Sequence, residues 1–549
     1  MISAEDLLKI VKNDMLNDLS KILQRHGKSN TDYRIDEPNK ELSRETMDST
    51  TEIDDGAEEF FNNNFPLLTD EQQGILDTLA GHVDRGEGGL YNLDAPGGSG
   101  KTFMANILLS RVRMNKKIAI ACGMSGIAAI LLRKGTTFHR RFKAPLDCGP
   151  ESCSRHKLNS NESKIIKEAY LIMIDEVSMM HYYLLDMLDR FLKELMQSNE
   201  FMGGKLILLM HDFRQILPVV PGGNRGSIVT AAVPSSDIWK YFKSLSLTRN
   251  MRVERMLHEN PSPERQQKLL AHAQWLLSIG NGTAPSAIPN SNIIEIPEHM
   301  VVTSRLALQE KIYPDFKNKY NDAKYLSERA IMSTTNDIVQ QCNFEMIEKI
   351  EGEMIISTSR DSCVEPDDMA RYDTDFLNKI NASGISPHRL ALKVGACIIL
   401  IRNLSLTYGH CNGTRYIIEH LTDNLIKARK LDGGPNSVII IPRIPMISNE
   451  TSFPVPFKRT QFPVLGAYYI TLNRAQGQTL KFAGVDLPQS VFSHGHFYVA
   501  VSRCGDPEGI FVFANQNEFN NVKHMLPAGK TFTRNIVYKE IFQRTSMLG

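Results

Sequence analysis

A chain of 549 residues, 42% apolar and 23% charged, is too long for a single core and has the make-up of a globular protein of two or more domains. No apolar run is long enough to span a bilayer, the start MISAEDLLKI is acidic rather than signal-like, and eight cysteines without a CxxC pair argue against zinc ribbons. The net charge of +1 hides an asymmetry, since residues 31–60 hold eleven acidic against three basic residues and the remainder is a basic body compatible with a polyanion partner. An intracellular protein without a membrane partner is expected, with the sequons at Asn403 and Asn412 unmodified.

Residues 1–29 read as an amphipathic helix capped by Ser3, with Leu7, Leu8, Val11, Met15, Leu19, Ile22 and Leu23 at helical spacing. Such a stripe packs on the body or on a protein partner. Residues 30–66 are acidic and polar and read as a flexible linker. From Leu67 short apolar runs alternate with helical stretches. LYNLD (90–94), IAIAC (118–122), LIMID (171–175), LILLM (206–210) and LSLT (245–248) read as buried parallel strands, whose ligand belongs at their carboxyl ends. A second series starts near MVVTS (300–304) and AIMST (330–334) and resumes at VLGAYYIT (464–471) and IFVFA (510–514), with β-like runs between. The expected outcome is two α/β lobes, 67–253 and 254–549, with a small β module at about 395–460 in the second.

The stretch LYNLDAPGGSGKT (90–102) is a strand, a glycine-rich turn and a helix start in that order. Backbone N–H groups around Gly97, Gly98, Ser99 and Gly100 can point inward onto phosphates. Lys101 reaches the outer phosphates, and the Thr102 hydroxyl holds Mg²⁺. Ala95 stands at the usual first glycine and is small enough to fit.

The third strand ends in Asp175 and Glu176, suited to holding Mg²⁺ and to polarising an attacking water. The next ends HDFRQILPVV, which puts Asp212 and Gln215 beside a γ-phosphate. Gln72, at the start of the helix before the first strand, can pair with an adenine edge. Arg252 and Arg503 are candidate planar cations for the charge that develops in phosphoryl transfer.

Together LTDEQ, APGGSGKT, SGIAA (125–129), TTFHRRF (136–142), IDEVSM, HDFRQILPVV, LTRNMR, TLNRAQGQTL (471–480) and YVAVSRC (498–504) resemble the ordered motifs of the Pif-type DNA helicases of superfamily one. FKAPL (142–146), WLLSIGNG (275–282), CNGTRYII (411–418), QFPV (461–464) and TRNIVYKEIF (533–542) look like the helicase module of Helitron transposons. The resemblance covers roughly residues 67–542. It implies an α/β fold of two RecA-like P-loop lobes with parallel sheets and a small SH3-like β insertion in the second. It also implies ATP and Mg²⁺ as cofactors and 5′→3′ movement on single-stranded and tailed duplex DNA.

The same resemblance gives roles. Gln72 takes adenine; Gly97 to Thr102 take the phosphates; Thr102 and Asp175 hold Mg²⁺; Glu176 activates water; Gln215 senses the γ-phosphate; and Arg252 and Arg503 are arginine fingers. DNA contacts fall on Ser125, Thr137, His139 and Phe142 and on Thr471, Asn473 and Arg474. Gln476 and Gly477 face the nucleotide cleft. Repair, recombination and telomere maintenance by a monomer in the nucleus, or wherever host or viral DNA lies, is the implied setting.

There are departures from the family pattern. His211 stands where the family has glycine, and Arg474 replaces a lysine. His494 and His496 form a His-x-His pair, and Cys148, Cys153 and His156 lack a fourth ligand; ordinary structural roles are expected for all five, and Trp275 is expected in the core. Two rival readings remain open: an idle transposon-derived module that binds single strands without turnover, and an RNA translocase.

Overall fold

The computed structural model describes residues 54 and 56–546, apart from 407, 434–436 and 449–452, together with 13, 16, 19, 20, 23, 24, 27–33 and 35–38. Most of the amphipathic helix expected over 1–29, Ser3 included, and the stretch 39–53 of the acidic segment lie outside the described residues. The chain divides into two units, one of residues 1–49 and 309–471 and one of residues 50–308 and 472–549. This division differs from a cut at 253/254, because residues 254–308 and 472–549 group with the stretch that carries the P-loop.

In the second unit, strands β1 (Gly89–Asp94), β2 (Ala119–Gly123), β3 (Thr136–Thr137), β4 (Leu171–Asp175), β5 (Leu206–His211) and β6 (Lys243–Ser246) form one sheet in the order β3-β2-β4-β5-β1-β6. Every neighbouring pair is parallel. Successive side chains of a strand point to opposite faces, so a strand covered on both sides must be apolar throughout. In β4 and β5 one set of alternating residues (Leu171, Met173, Leu206, Leu208, Met210) joins the core on one face. The other set (Ile172, Ile174, Ile207, Leu209) joins the core on the opposite face.

Helices α1 (Ala57–Asn64), α2 (Asp70–Arg85) and α3 (Lys101–Met114) feed the first of these cores, and α4 (Tyr182–Met196) the second. β3 was not expected. β6 begins two residues before the apolar run 245–248, because an edge strand with Lys243 and Ser244 exposed carries no apolar signature. Helix α1 corrects the linker expected over 30–66. Phe60, Phe61 and Phe65 pack against the α2/α3 core, Arg133 lies over the Phe60 ring at 4.5 Å, and Arg133 pairs with Asp54 at 2.7 Å. Three aromatics in an otherwise acidic stretch anchor it. Residues 263–281 form α5 (Pro263–Asn281) and residues 496–502 form α6 (His496–Ser502). Strands 482–487 and 510–514 pair in parallel within this unit.

The first unit pairs Tyr469–Thr471 in parallel with Arg329–Ser333. Its inserted β region starts earlier than the expected 395, with strands from Ile355 to Gly466. Five antiparallel strands run in the order 438–442, 425–430, 415–421, 397–400, 464–466. A three-stranded sheet joins 360–363, 457–461 and 444–448. The strands at 355–358 and 360–363 lack an apolar run, so pattern alone does not mark them. Asn30 donates to the Leu16 and Asp36 carbonyls, which closes the turn Asn30–Tyr33.

Candidate active site

β1 delivers the chain to the turn Pro96–Gly100, and α3 leaves it. Gly98 and Gly100 have φ of +92° and +79°, a region that penalises a side chain. A Cβ at Gly98 would also come within 2.8 Å of Asn250 Oδ1, and one at Gly100 within 2.6 Å of Gln72 Nε2. The cradle is therefore closed over by neighbouring elements. Asn250 caps the helix Met251–His258, and Met251 N donates to Gly98 O at 2.9 Å, which brings Arg252 onto the turn.

Lys101 Nζ lies 2.6 Å from Asp175 Oδ1 and 3.7 Å from Glu176 Oε1. Burial works against its charge, but the two carboxylates prevail and hold the ammonium above its usual value. Burial raises Glu176 instead, and Lys101 opposes that rise. Glu176 has φ +58°, a left-handed backbone in a residue that is not glycine, at the point where β4 opens into the site. Gln476 Nε2 donates to Glu176 Oε2 at 3.3 Å.

Beside the acidic pair, Asp212 is wholly buried. Its Oδ2 accepts from Gln215 Nε2 at 3.0 Å and its Oδ1 from Arg214 Nη1 at 3.0 Å. Arg214 also donates to both oxygens of Asp94, at the end of β1, and to Asn281 Oδ1. Gln215 Oε1 and Ser99 Oγ are buried without a hydrogen-bond partner.

Arg252 donates to Ser502 O at 3.1 Å and to Thr479 Oγ1 at 2.7 Å. Arg503, 3% exposed, donates to Val499 O, Gln478 O and Ser502 Oγ; burial lowers its pKa, and Glu176 is the strongest charge opposing that. Burial first, and then Arg503, lower Arg252 to about 10. Neither guanidinium has a carboxylate at ion-pair distance among the described residues. Two such cations beside a phosphate cradle are satisfied by a bound polyanion.

The remaining sequence expectations fare unevenly. Gln72 is engaged at both ends, with Oε1 accepting from Thr69 N at 3.1 Å and Nε2 donating to Ser99 O at 3.0 Å. The capping box fixes the helix start and the Ser99 bond ties it to the P-loop, which leaves the amide one N–H and one lone pair beyond these bonds. Phe142 is 0% exposed, 5.0 Å from the Phe138 ring in the second core; it is a packing residue and not a platform for bases. Thr137 is buried at the end of β3, Ser125 caps the helix Gly126–Leu131, and His139 is half-buried, its pKa lowered by that burial. Thr471 ends its strand half-buried, Asn473 is exposed, and Arg474 is half-buried in the turn Leu472–Ala475. Gly477 has φ +79° and lies by Ile127.

Trp275 is half-buried, not core: it stacks on His272 and meets Phe497 edge-on, with its outer face lining a cavity beside Met300. His494 Nε2–H donates to Phe213 O and its Nδ1 accepts from Tyr538 N, which engages both ring nitrogens. His156 meets the Arg141 carbonyl and stacks on Phe191. His211 pairs with Asn92 Oδ1 at 3.1 Å and packs by Phe213 and Trp239; burial lowers it to about 3, so it is neutral. Sequence reasoning missed Asp94, Arg214, Thr479 and Tyr498. Arg214 and Thr479 lay inside the quoted HDFRQ and TLNRAQGQTL runs, where neighbouring residues carried the expected roles.

Convergence of Lys101, Arg252 and Arg503 on a glycine cradle that ends a parallel strand defines the class, the P-loop nucleoside triphosphatases. A model of the PIF1-like helicases matches residues 67–289, and one of the 2B domain of DNA helicase Pif1 matches residues 375–421. The chain is 24% identical over 446 residues to the ATP-dependent DNA helicase Pif1 of Campylobacter jejuni, covering 77% of this chain and 88% of the relative. It is 25% identical over 486 residues to protein 030L of Invertebrate iridescent virus 6, covering 76% and 87%. Bacteroides Pif1 bound to ssDNA superposes with a TM-score of 0.58 at 23% identity, over 84% of this chain and 94% of that one, which shows the shared fold. The chain is thus similar to the PIF1-like helicases over residues 67–289 and 375–421, and it shares their RecA-like α/β architecture.

Proposed function

We propose that this chain is an ATP-dependent DNA helicase that couples Mg-ATP hydrolysis to 5′→3′ movement on single-stranded DNA and to duplex unwinding. The observation that carries the reading is the pair of arginines, Arg252 against the Gly98 turn and Arg503 near Glu176, neither with a carboxylate at ion-pair distance among the described residues. The site's chemistry fits the nucleotide: a cationic lysine at the cradle, an orphaned Ser99 hydroxyl and an orphaned Gln215 carbonyl are groups that a phosphate chain and a water would satisfy. Thr102 and Asp175 would hold Mg²⁺, which when bound neutralises phosphate charge.

Glu176 is the base that takes the proton of the attacking water, and Gln215 Oε1 is the acceptor that orients that water. Lys101, Arg252 and Arg503 balance the charge that develops on the phosphoryl oxygens. Asn473, Arg474, Ser125 and His139 are assigned to backbone-directed DNA contacts, which need no base-specific pairing. We assign the protein to the compartment that holds its DNA, the nucleus in a eukaryotic host, and to genome maintenance. The likeness to the Helitron module rests on the motif runs alone.

The direct test is phosphate release with and without single-stranded DNA, followed by unwinding of 5′-tailed and 3′-tailed duplexes. DNA-stimulated release and unwinding of the 5′-tailed substrate are expected. Binding without release would favour the idle module, and stronger stimulation by equal-length RNA would favour the translocase.

The acid limb of kcat/KM for ATP is a further check. A base must be ionised to accept a proton, and burial raises Glu176, so the rate should fall with falling pH around a midpoint above the ordinary 4.5. A flat profile through that range would remove Glu176 from the role.

A further inference from the structure

Tyr498 sits inside the nucleotide site with no part in the chemistry above. Its side chain is 2% exposed. The hydroxyl lies 3.3 Å from Asp212 Oδ2 and 3.4 Å from Gly97 N. Burial, reinforced by Asp212, keeps the phenol protonated. It therefore donates its one proton to Asp212 and accepts from the Gly97 N–H. The same Asp212 oxygen accepts from the Gln215 amide at 3.0 Å, so the phenol and the amide share one carboxylate oxygen.

The surrounding backbone makes room for this contact. A Cβ at Gly280, in α5, would come within 2.9 Å of the Tyr498 ring and 3.0 Å of Arg214 Cδ. A Cβ at Gly495, just before α6, would come within 2.6 Å of Arg214 O and 2.7 Å of the Gln215 carbonyl carbon. Two glycines thus allow α5, α6 and the loop that carries Gln215 to close around one phenol. Arg503 follows directly on α6, and its Nε donates to Val499 O at 2.9 Å, next to Tyr498. A shift of the phenol therefore carries α6 and the guanidinium with it.

We propose that Tyr498 is a positioning residue that reports phosphate in the P-loop to the Gln215 sensor. In this structure the Gly97 N–H is taken up by the phenol oxygen. A terminal phosphate competes for that N–H, leaving the hydroxyl to Asp212 alone, and Asp212 in turn holds Gln215. A nucleotide lacking that phosphate leaves the phenol on Gly97. The idea rests on the nucleotide-site reading above and adds to it a residue that touches no reacting atom.

The test is Tyr498→Phe, which removes the hydroxyl and keeps the ring between Gly280 and α6. With saturating single-stranded DNA, kcat should fall about tenfold, the scale of one lost hydrogen bond to a charged group. The affinity ratio for a non-hydrolysable ATP analogue over ADP, measured by titration, should shrink by about the same factor while ADP affinity holds. Two results would overturn the proposal: an unchanged kcat, or equal weakening of ATP analogue and ADP together with a lowered melting temperature, which marks a packing role. Lys101→Ala separates the two readings. If the wild type hydrolyses ATP, Lys101→Ala does not and Tyr498→Phe matches the wild type, this inference falls and the site stands. No hydrolysis by the wild type removes both.

Discussion

Lys101→Ala should reduce DNA-stimulated ATP hydrolysis by about 100- to 1,000-fold and abolish unwinding, because the reaction loses the cation placed at its phosphates. Binding of labelled single-stranded DNA should survive, since none of the groups assigned to DNA contact lies within hydrogen-bonding distance of Lys101. A second consequence follows from the resting contacts. Lys101 neutralises Asp175 at 2.6 Å and Glu176 at 3.7 Å, so its removal leaves two adjacent buried carboxylates without their cation. Proton uptake by Glu176 should then move further up the pH scale, the direction in which burial already pushes it, because the opposing Lys101 charge is gone. Phosphate-release assays on purified variant and wild type decide the matter. Hydrolysis retained in the variant would refute the site assignment.

Arg459→Met should destabilise the inserted β region by about 3–5 kcal/mol, the usual cost of stripping one partner from a buried ion pair. Arg459 is 0% exposed and grips both oxygens of Asp361, at 2.6 Å for the closest contact. It also donates to the carbonyls of Leu377, Ile380 and Ser386. Methionine fills similar volume but leaves the buried Asp361 carboxylate with the Ser359 hydroxyl and no cation, and it takes one donor from each of three carbonyls. For a unit of this size the melting midpoint should drop by about 10 °C, read by calorimetry or by protease susceptibility between residues 355 and 466. Arg459→Lys should fall between wild type and methionine, since a single ammonium cannot reach all these acceptors. The residues assigned to ATP chemistry all belong to 50–308 and 472–549, so hydrolysis at a temperature below the new midpoint should be retained. A melting curve unchanged by Arg459→Met would mean that water enters and replaces the guanidinium's bonds.

Much of the site was legible in one dimension, and the reason is local. A phosphate cradle needs glycines, a lysine and a hydroxyl within one turn, so residues 97–102 announce themselves. An acidic pair at the end of a strand does the same for Asp175 and Glu176. β1, β2, β4 and β5 were readable because a strand covered on both faces is apolar at most positions, with Asn92 and His211 the buried polar pair. β6, half in solvent, escaped by two residues for the converse reason. The helix Ala57–Asn64 was hidden by its acidic neighbours, although Phe60, Phe61 and Phe65 were in plain view.

The partners of a side chain are another matter. Gln72 looked free for a base edge, but the fold brings Ser99, 27 residues away, to its amide. Phe142 sits in a motif that resembles a DNA-contacting one, yet Phe138 and the surrounding core enclose it. Arg459 and Asp361 meet across 98 residues, and Tyr498 reaches Gly97 across 401. Contiguous residues disclose the chemistry the chain can attempt, because spacing along a loop or strand is set by covalent geometry. Which groups neutralise, orient or bury one another depends on closures hundreds of residues long, where many partners compete for the same donor and only the packed whole selects among them.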